Sequence, residues 1–118
     1  MIQIVPQMKI FLSINPVDFR KGIDGLSGIC RTILDKDPFS GALFLFINKK
    51  RQAIKILIYD GQGFWLCQKR LSKGKIRYWP ENSDSIISSL TACELQVLLY
   101  NGEPDKINTS PEWRKLVK

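Results

Sequence analysis

The sequence predicts an α+β domain with an antiparallel sheet of about five strands, one long helix packed on the sheet, and a short C-terminal helix. Three observations predict it: a stretch with helical spacing near the N-terminus, four short strand-like segments after it, and a capped helical pattern near residue 91. The chain of 118 residues is 44% hydrophobic and 25% charged, which is typical of one globular domain. We expect that domain to span residues 1–102 and the polar residues 103–118 to form a mobile tail.

The first elements are a strand, "KIFLSI" (9–14), and the long helix. Asn15 is a capping residue type, Pro16 suits the first helical position, and Asp18 would complement the helix dipole. The Asp37-Pro38 pair ends the pattern, because the proline ring disfavours a helical residue before it. One buried stripe is predicted for this helix: Ile23, Leu26, Cys30, Ile33 and Leu34.

Four consecutive strands are predicted next: "ALFLFIN", "AIKILIYD", "FWLCQKRL" and "KIRYWP". Their loops are short, which indicates an antiparallel meander, since parallel pairs need long crossovers. The second helix follows in "TACELQVLLYNG", where Thr91 and Glu94 match a capping box and Asn101-Gly102 supplies a stop.

The positive charge of the chain is concentrated in one part of the sequence. The formal net charge is +7, and between Lys49 and Arg77 nine basic residues accompany a single acid, Asp60. Such a patch favours a polyanion, and a nucleic-acid backbone is the common one. The alternative is a solvated face whose lysines protect an exposed sheet edge.

The segment from 63 to 80 predicts a basic hairpin with aromatic side chains. If "SKG" is a three-residue loop, Lys69 faces Arg77 and Cys67 faces Trp79 on one side of the sheet. A two-residue loop would reverse every assignment of face. The candidate nucleic-acid contacts are Arg20, Lys21, Lys49, Lys50, Arg51, Lys55, Lys69, Arg70, Lys73, Lys75, Arg77 and Trp79, the last as a stacking platform.

Three glycines, Gly22, Gly25 and Gly28, are spaced three residues apart within the predicted helix. This spacing favours close packing of the helix on the sheet, and a phosphate at the basic end beside Arg20 and Lys21 is the alternative. Neither nucleotide-binding glycine motif is present.

The sequence does not indicate an enzyme. It contains no histidine, the commonest general base. Its three cysteines, Cys30, Cys67 and Cys93, lack zinc-site spacing and are interpreted as reduced cytosolic thiols. The carboxylates are scattered, with Asp24 the least easily explained, so we expect no catalytic centre, metal or cofactor.

Export and membrane insertion are not expected either. The longest apolar run is far shorter than the ~20 residues that span a bilayer, and the N-terminus lacks a signal-peptide layout. We therefore expect a cytoplasmic protein without membrane contact.

Four ordered motifs resemble one known family. "DFRKGIDGL", "DPFSGALFLFINKKR", "IKILIYDGQGFWLCQKRLSKGKIRYWP" and "LTACELQVLL" resemble the TnpB-type accessory protein of insertion sequence 66 transposons, over roughly residues 9 to 100. The resemblance implies a bacterial protein that works in transposition beside a separate, larger DDE transposase, without a catalytic centre of its own. The matching basic positions are Arg20-Lys21, Lys49 to Arg51, Lys69-Arg70 and the "KGK" turn. The sequence departs from the family pattern after Gly102.

The leading hypothesis is a non-catalytic accessory protein that binds DNA, such as transposon ends, through the basic hairpins and assists the transposase. The alternative is a subunit whose basic face meets an acidic surface of the transposase without touching DNA. A nuclease is a third, weaker reading. Homo-oligomers are compatible with each hypothesis.

Overall fold

A computed structural model of the chain describes residues 7–81 and 84–101. Within these ranges it has five strands and two helices, arranged as an α+β fold. In chain order they are β1 (Ile10–Ser13), α1 (Ile23–Thr32), β2 (Leu43–Ile47), β3 (Ala53–Tyr59), β4 (Phe64–Arg70), β5 (Ile87–Leu90) and α2 (Ala92–Leu99). The predicted tail at 103–118 lies outside the described residues.

The sheet is mixed, so the prediction of a purely antiparallel sheet is wrong. The strand order is β4-β3-β2-β1-β5, and β1 runs parallel to β2 with Ile10 beside Leu43. The other three pairs are antiparallel. The parallel pair arises because α1 lies between β1 and β2 and returns the chain to the starting end of the sheet.

The predicted strand at 75–80 does not form, so the basic hairpin at 63–80 is also wrong. The chain leaves the sheet after Arg70, and the fifth strand is instead β5, which pairs antiparallel with β1. Ser13 lies beside Ile87 in that register, and the Ile14 N–H extends the ladder by donating to the Ile86 carbonyl at 3.1 Å. Residues 71–86 therefore connect one edge of the sheet to the other.

The first helix is shorter than predicted and begins later. It starts at Ile23 behind Gly22, not near Asn15, and contains ten residues. The Val17 N–H donates to the Ile47 carbonyl at 2.9 Å, which ties the preceding segment to the end of β2 instead of to a helical turn. Since α2 has eight residues, neither helix is long. Asp24, which the sequence placed in mid-helix, lies in the first turn, where a carboxylate complements the dipole.

The ends of both helices satisfy their backbone groups locally. At the C-terminal end of α1, Asp35 adopts φ 54°, and the N–H groups of Leu34 and Lys36 donate to carbonyls of the last turn. At the start of α2, the Thr91 hydroxyl accepts from the Glu94 N–H at 3.1 Å. The Glu94 carboxylate in turn accepts from the Thr91 N–H at 2.9 Å, which confirms the predicted capping box.

Both faces of the sheet are covered by apolar side chains. On one face α1 buries Leu26 and Cys30 against Phe44 and Phe46 of β2. On the other face, α2 packs over a second cluster that includes Leu12 and Leu45. Every residue of β2 is buried, as expected for a central strand. Burial of each large side chain contributes ~1.5–3 kcal/mol to stability, so β2 makes a large contribution to the stability of the fold.

The three glycines do not face the sheet, so the prediction that they allow α1 to pack closely on it is wrong. A Cβ atom built on Gly22 or Gly28 would meet nothing within 4 Å. A Cβ atom on Gly25 would meet the Lys21 side chain at 2.9 Å. Gly25 and Gly28 line an open groove beside the loop at residues 16–21.

Candidate nucleic-acid interface

Residues 71–81, which we call the crossing segment, run across one end of the sheet. The Leu71 N–H donates to the Gln52 carbonyl at 2.9 Å, and the Ile76 N–H donates to the Arg51 carbonyl at 2.7 Å. Between these two bonds the chain turns at Gly74, where φ is +82°. That value is in the left-handed region that glycine adopts without strain. The crossing segment is thus held against the β2–β3 turn.

Trp79 anchors the far end of the crossing segment in the core. Its side chain is 5% exposed, and its indole N–H is shared between the carbonyls of Ser13 at 3.2 Å and Ile14 at 3.1 Å. Ile76 is buried next to it in the same cluster. The predicted role of Trp79 as a stacking platform is therefore wrong, because no base can reach a ring that is packed inside the protein.

Seven basic residues meet at this end of the sheet, and we call them the cationic end. The β2–β3 turn, the last residue of β4 and the crossing segment contribute them, and the backbone bonds above hold those three pieces together. Residues 49–52 and 70–77 contain no Asp or Glu. The cationic end consists of Lys49, Lys50, Arg51, Arg70, Lys73, Lys75 and Arg77.

One of the seven is neutralised by an ion pair. Arg51 contacts the Glu81 carboxylate at 2.8 Å, and the two side chains are 30% and 76% exposed. An ion pair this exposed contributes little to stability. The other six side chains are exposed and have no ion pair or hydrogen bond within residues 7–81 and 84–101. Their charges remain available to an external anion.

Asn101 joins the end of α2 to the cationic end. Its Oδ1 atom accepts from the Arg77 N–H at 2.7 Å, and its Nδ2 atom donates to the Lys75 carbonyl at 3.3 Å. Asn101 has φ 60°, a conformation that asparagine tolerates well. The sequence indicated Asn101 only as a helix stop, so its contact with the crossing segment was missed. No sequence signal predicted the Arg51–Glu81 pair either.

Lys55 does not belong to the cationic end, because its side chain is buried. It lies on β3 and is 7% exposed. Its ammonium group donates to the carbonyls of Phe19 at 2.7 Å and Lys21 at 3.0 Å, and it lies 4.9 Å from the centre of the Phe19 ring. Lys55 therefore fastens the loop before α1 to the sheet, and its predicted contact with nucleic acid is wrong.

Lys69 and Arg70 point to opposite faces of β4, because adjacent strand residues alternate. The ammonium group of Lys69 donates to the Leu99 carbonyl and lies 5.7 Å from the centre of the Tyr100 ring, on the α2 side. The predicted cross-strand pairs of Lys69 with Arg77 and of Cys67 with Trp79 do not exist. In the observed register, Lys69 is beside Ile54.

Arg20 and Lys21 lie in the loop before α1, on the α1 side of the sheet. The guanidinium of Arg20 contacts both oxygens of Asp18, with a shortest distance of 2.7 Å. Hydrogen bonds from this guanidinium and from the Arg20 backbone hold the pKa of Asp18 well below its usual range. Arg20 is thus already paired, whereas the Lys21 side chain is exposed.

Two of the exposed aromatic side chains, Phe39 and Trp65, lie away from the cationic end, whereas Tyr100, which is 66% exposed, precedes Asn101 at the end of α2. Phe64 packs with Tyr59 and Phe39 at centroid distances of 5.1 Å, beside the β3–β4 turn at the opposite end of the sheet. The Trp65 indole N–H donates to Asp60 at 2.8 Å. Backbone N–H groups from residues 62 and 63 lower the pKa of Asp60, so this turn carries a fixed negative charge. The interleaving of rings and cations that the sequence predicted is not observed.

Within the described ranges, no group of three or more His, Cys, Asp or Glu side chains could hold a metal ion. No helix among the described residues is long and apolar enough to cross a membrane.

Comparison with known proteins identifies the family. The family model described as "IS66 Orf2 like protein" matches residues 8–108. Two similar proteins come from Sinorhizobium fredii (strain NBRC 101917 / NGR234). "Uncharacterized protein y4jC" is 34% identical over 73 residues, a match that spans 62% of this chain and 62% of y4jC. "Uncharacterized protein y4hO" is 28% identical over 92 residues, which is 78% of each chain. No solved structure matches. The match over residues 8–108 covers most of the chain, which therefore belongs to the IS66 Orf2-like family of transposition accessory proteins.

Proposed function

We propose that this transposition accessory protein binds DNA through the phosphate backbone at the cationic end and assists a separate transposase in holding the ends of the element. The observation that carries the proposal is the group of six exposed basic side chains without a partner among the described residues, on a backbone fixed by Trp79, Asn101 and the Arg51 carbonyl. Lys and Arg side chains that contact phosphates release counterions from the DNA, which supplies most of the affinity.

The composition of the cationic end favours DNA over an acidic protein surface. Centres of protein interfaces are enriched in aromatic side chains, Met and Arg, whereas Lys, which supplies four of the seven cations here, is depleted there. None of the residues 49–52 or 70–77 is a large exposed hydrophobic, because Ile76 is buried and Leu71 is half-buried. We therefore infer that the contact is mainly with phosphates and reads little base sequence.

The same composition favours duplex DNA over single strands. Single-strand binders rely on exposed rings on which bases stack. Within the crossing segment Trp79 is buried and Tyr78 is half-buried, so Tyr100, which Lys69 contacts, is the one exposed ring described near the cationic end. We propose that the protein positions DNA and does not cut it, so we expect no nicking or strand transfer by the purified chain in magnesium or manganese.

The test is the salt dependence of binding to duplex DNA. If the six unpaired cations each contact a phosphate, the slope of log affinity against log salt is about −5.4, since each contact contributes ~0.9. The double variant Lys73→Ala/Lys75→Ala reduces the slope to about −3.6 on any DNA sequence. The matched control, Lys9→Ala/Lys36→Ala, removes the same charge elsewhere and leaves the slope near its original value.

Two outcomes contradict the proposal. An unchanged slope in Lys73→Ala/Lys75→Ala, together with loss of binding to the transposase, would make the cationic end a protein interface. An equal reduction in both double variants would mean that only net charge matters, without a localised site.

A further inference from the structure

Strand β4 is an open edge of the sheet. It has seven residues, and among the described strands it pairs only with β3. Natural proteins protect such edges with proline, bulges or charges spread along the strand. Within β4 the charges are confined to one end, at Lys69 and Arg70, while Phe64 and Trp65 occupy the other end. The opposite edge, β5, has only four residues.

The hydrogen bonds at the ends of β4 show which backbone groups face outward. The Leu71 N–H donates to the Gln52 carbonyl, and the Gly63 carbonyl accepts from the Asp60 N–H. Along a strand, successive residues direct their N–H and C=O groups alternately to one neighbouring strand and to the other. The backbone groups of the odd-numbered residues of β4 therefore point toward β3. The N–H and C=O groups of Phe64, Leu66, Gln68 and Arg70 consequently point away from the sheet.

We propose that two copies of this chain associate through these edges, with the β4 strands antiparallel and the two-fold axis at Cys67. Phe64 is then opposite the partner's Arg70 and Leu66 is opposite the partner's Gln68, and these are the residues whose backbone groups point outward. The two five-stranded sheets become one continuous sheet. The proposal rests on the backbone groups and side chains of β4 and shares one residue, Arg70, with the cationic end.

The side chains of β4 are complementary in this register. Trp65 lies opposite the partner's Lys69 on the α2 face, and Phe64 lies opposite the partner's Arg70 on the α1 face. Each pair places a cation beside an aromatic ring, and the two groups attract each other. A register centred on residue 69 or 70 would set like charges directly opposite one another, which is destabilising. The register centred on Cys67 places both cations of β4 opposite its two aromatic side chains, and for this reason we choose it.

Exposed aromatic side chains flank the same edge. Trp65 is 45% exposed on β4, and Tyr100 is 66% exposed beside Lys69. Together with Ile54, Ile56 and Cys67, Tyr100 lines an open groove along the α2 side of the edge. A second copy on β4 would remove part of this apolar surface from water, which is the main driving force for association.

The first test measures the mass of the intact protein in solution over a range of concentrations. The chain has a mass of 13.6 kDa, and we expect a species of twice that mass. Gln68→Pro should give a folded monomer. It removes an N–H that points away from the sheet, and an edge strand tolerates proline at a position whose N–H points outward. A monomer for the wild type at every concentration would overturn the proposal, and so would a folded dimer of Gln68→Pro.

The second test uses charge exchange and does not depend on the folding of a proline variant. Trp65→Lys places a lysine opposite the partner's Lys69 and should weaken association at least tenfold. Adding Lys69→Glu makes that pair attractive again and should restore the dimer. If the two variants have equal dimer affinities, the register is wrong.

The third test uses the thiols. Residues opposite each other at a non-hydrogen-bonded antiparallel position have Cα atoms about 4.5 Å apart, within the range for a disulfide. Added diamide takes two electrons and two protons from two Cys67 thiols and leaves a covalent dimer. Cys67→Ser should abolish this dimer, whereas Cys93→Ser, the matched control with another half-buried thiol, should retain it. A dimer lost only in Cys93→Ser would contradict the proposed edge.

Discussion

Trp79→Phe is the substitution that best distinguishes a core side chain from a DNA contact. The change keeps an aromatic ring but removes the indole N–H that the carbonyls of Ser13 and Ile14 share. Losing that donor and leaving buried acceptors unsatisfied costs ~1–3 kcal/mol. The smaller ring also loses buried surface, worth ~1–2 kcal/mol. We therefore expect the free energy of unfolding to fall by about 3 kcal/mol.

The assay is a thermal melt followed by circular dichroism, with a urea titration in parallel. For a domain of this size, ~3 kcal/mol corresponds to a decrease in Tm of about 12 °C. Trp65→Phe is the matched control, because Trp65 is 45% exposed, and we expect its cost to be under ~1 kcal/mol. At a temperature where both variants are folded, their salt slopes on duplex DNA should equal that of the wild type.

The opposite pattern would refute this reasoning. If Trp79→Phe melts like the wild type but binds single-stranded DNA more weakly by ~1–3 kcal/mol, Trp79 stacks on a base. The crossing segment would then have to leave the core in order to bind.

Three further predictions concern other buried or paired groups. Lys55→Met should lower the free energy of unfolding by about 1–2 kcal/mol in a urea titration, because two charge-assisted hydrogen bonds are lost while the apolar stem is kept. The salt slope on duplex DNA should stay unchanged. A slope flattened by one unit would contradict the burial of Lys55. Arg20→Ala should change the salt slope by less than half a unit, since its guanidinium is paired with Asp18; a full unit would show that DNA displaces the pair. Burial raises the pKa of Cys30 to about 12 from its ordinary value of 9.0, so above pH 9 the unfolded chain releases a proton that the native chain keeps. The free energy of unfolding should fall by up to ~1.4 kcal/mol per pH unit between these values, and urea titrations should show a shallower decline for Cys30→Ala.

Local sequence patterns predicted most of the elements. The segments around Ile10, Leu43, Ala53 and Phe64 have the β-branched or aromatic composition of strands, and each forms one. The Thr91 capping box also marks the start of α2 correctly. These features depend on neighbouring residues, so one sequence is enough to indicate them.

The errors come from contacts that are distant in sequence. "KIRYWP" begins by alternating polar and apolar residues as a strand does, but Ile76 and Trp79 are buried at the end of the sheet. None of the strands in the described part of the chain pairs with the segment. Asn15 and Pro16 resemble a helix start, but the Val17 N–H is bonded to β2. Nothing in the residues near them distinguishes these outcomes.

In the candidate site, too, local features could be predicted from the sequence and contacts between distant residues could not. The sequence indicated that positive charge is concentrated between Lys49 and Arg77, and the structure brings two separate stretches of that region together through the Ile76–Arg51 backbone bond. The sequence could not separate Lys55 from the rest, because a buried lysine and an exposed one look alike in a strand pattern. Its two carbonyl partners lie more than thirty residues away.

The position of β1 in the sheet has a consequence during synthesis. Its parallel partner, β2, is complete at Ile47, but its other partner, β5, starts only at Ile87. At ~5–20 residues per second, the ribosome needs roughly 2–8 s to make the intervening segment. Throughout that time the apolar stretch from Ile10 to Ile14 has one row of unpaired N–H and C=O groups, which is a template for pairing with another nascent chain. Fragments that stop before Ile87 keep this edge open permanently and should accumulate as insoluble protein.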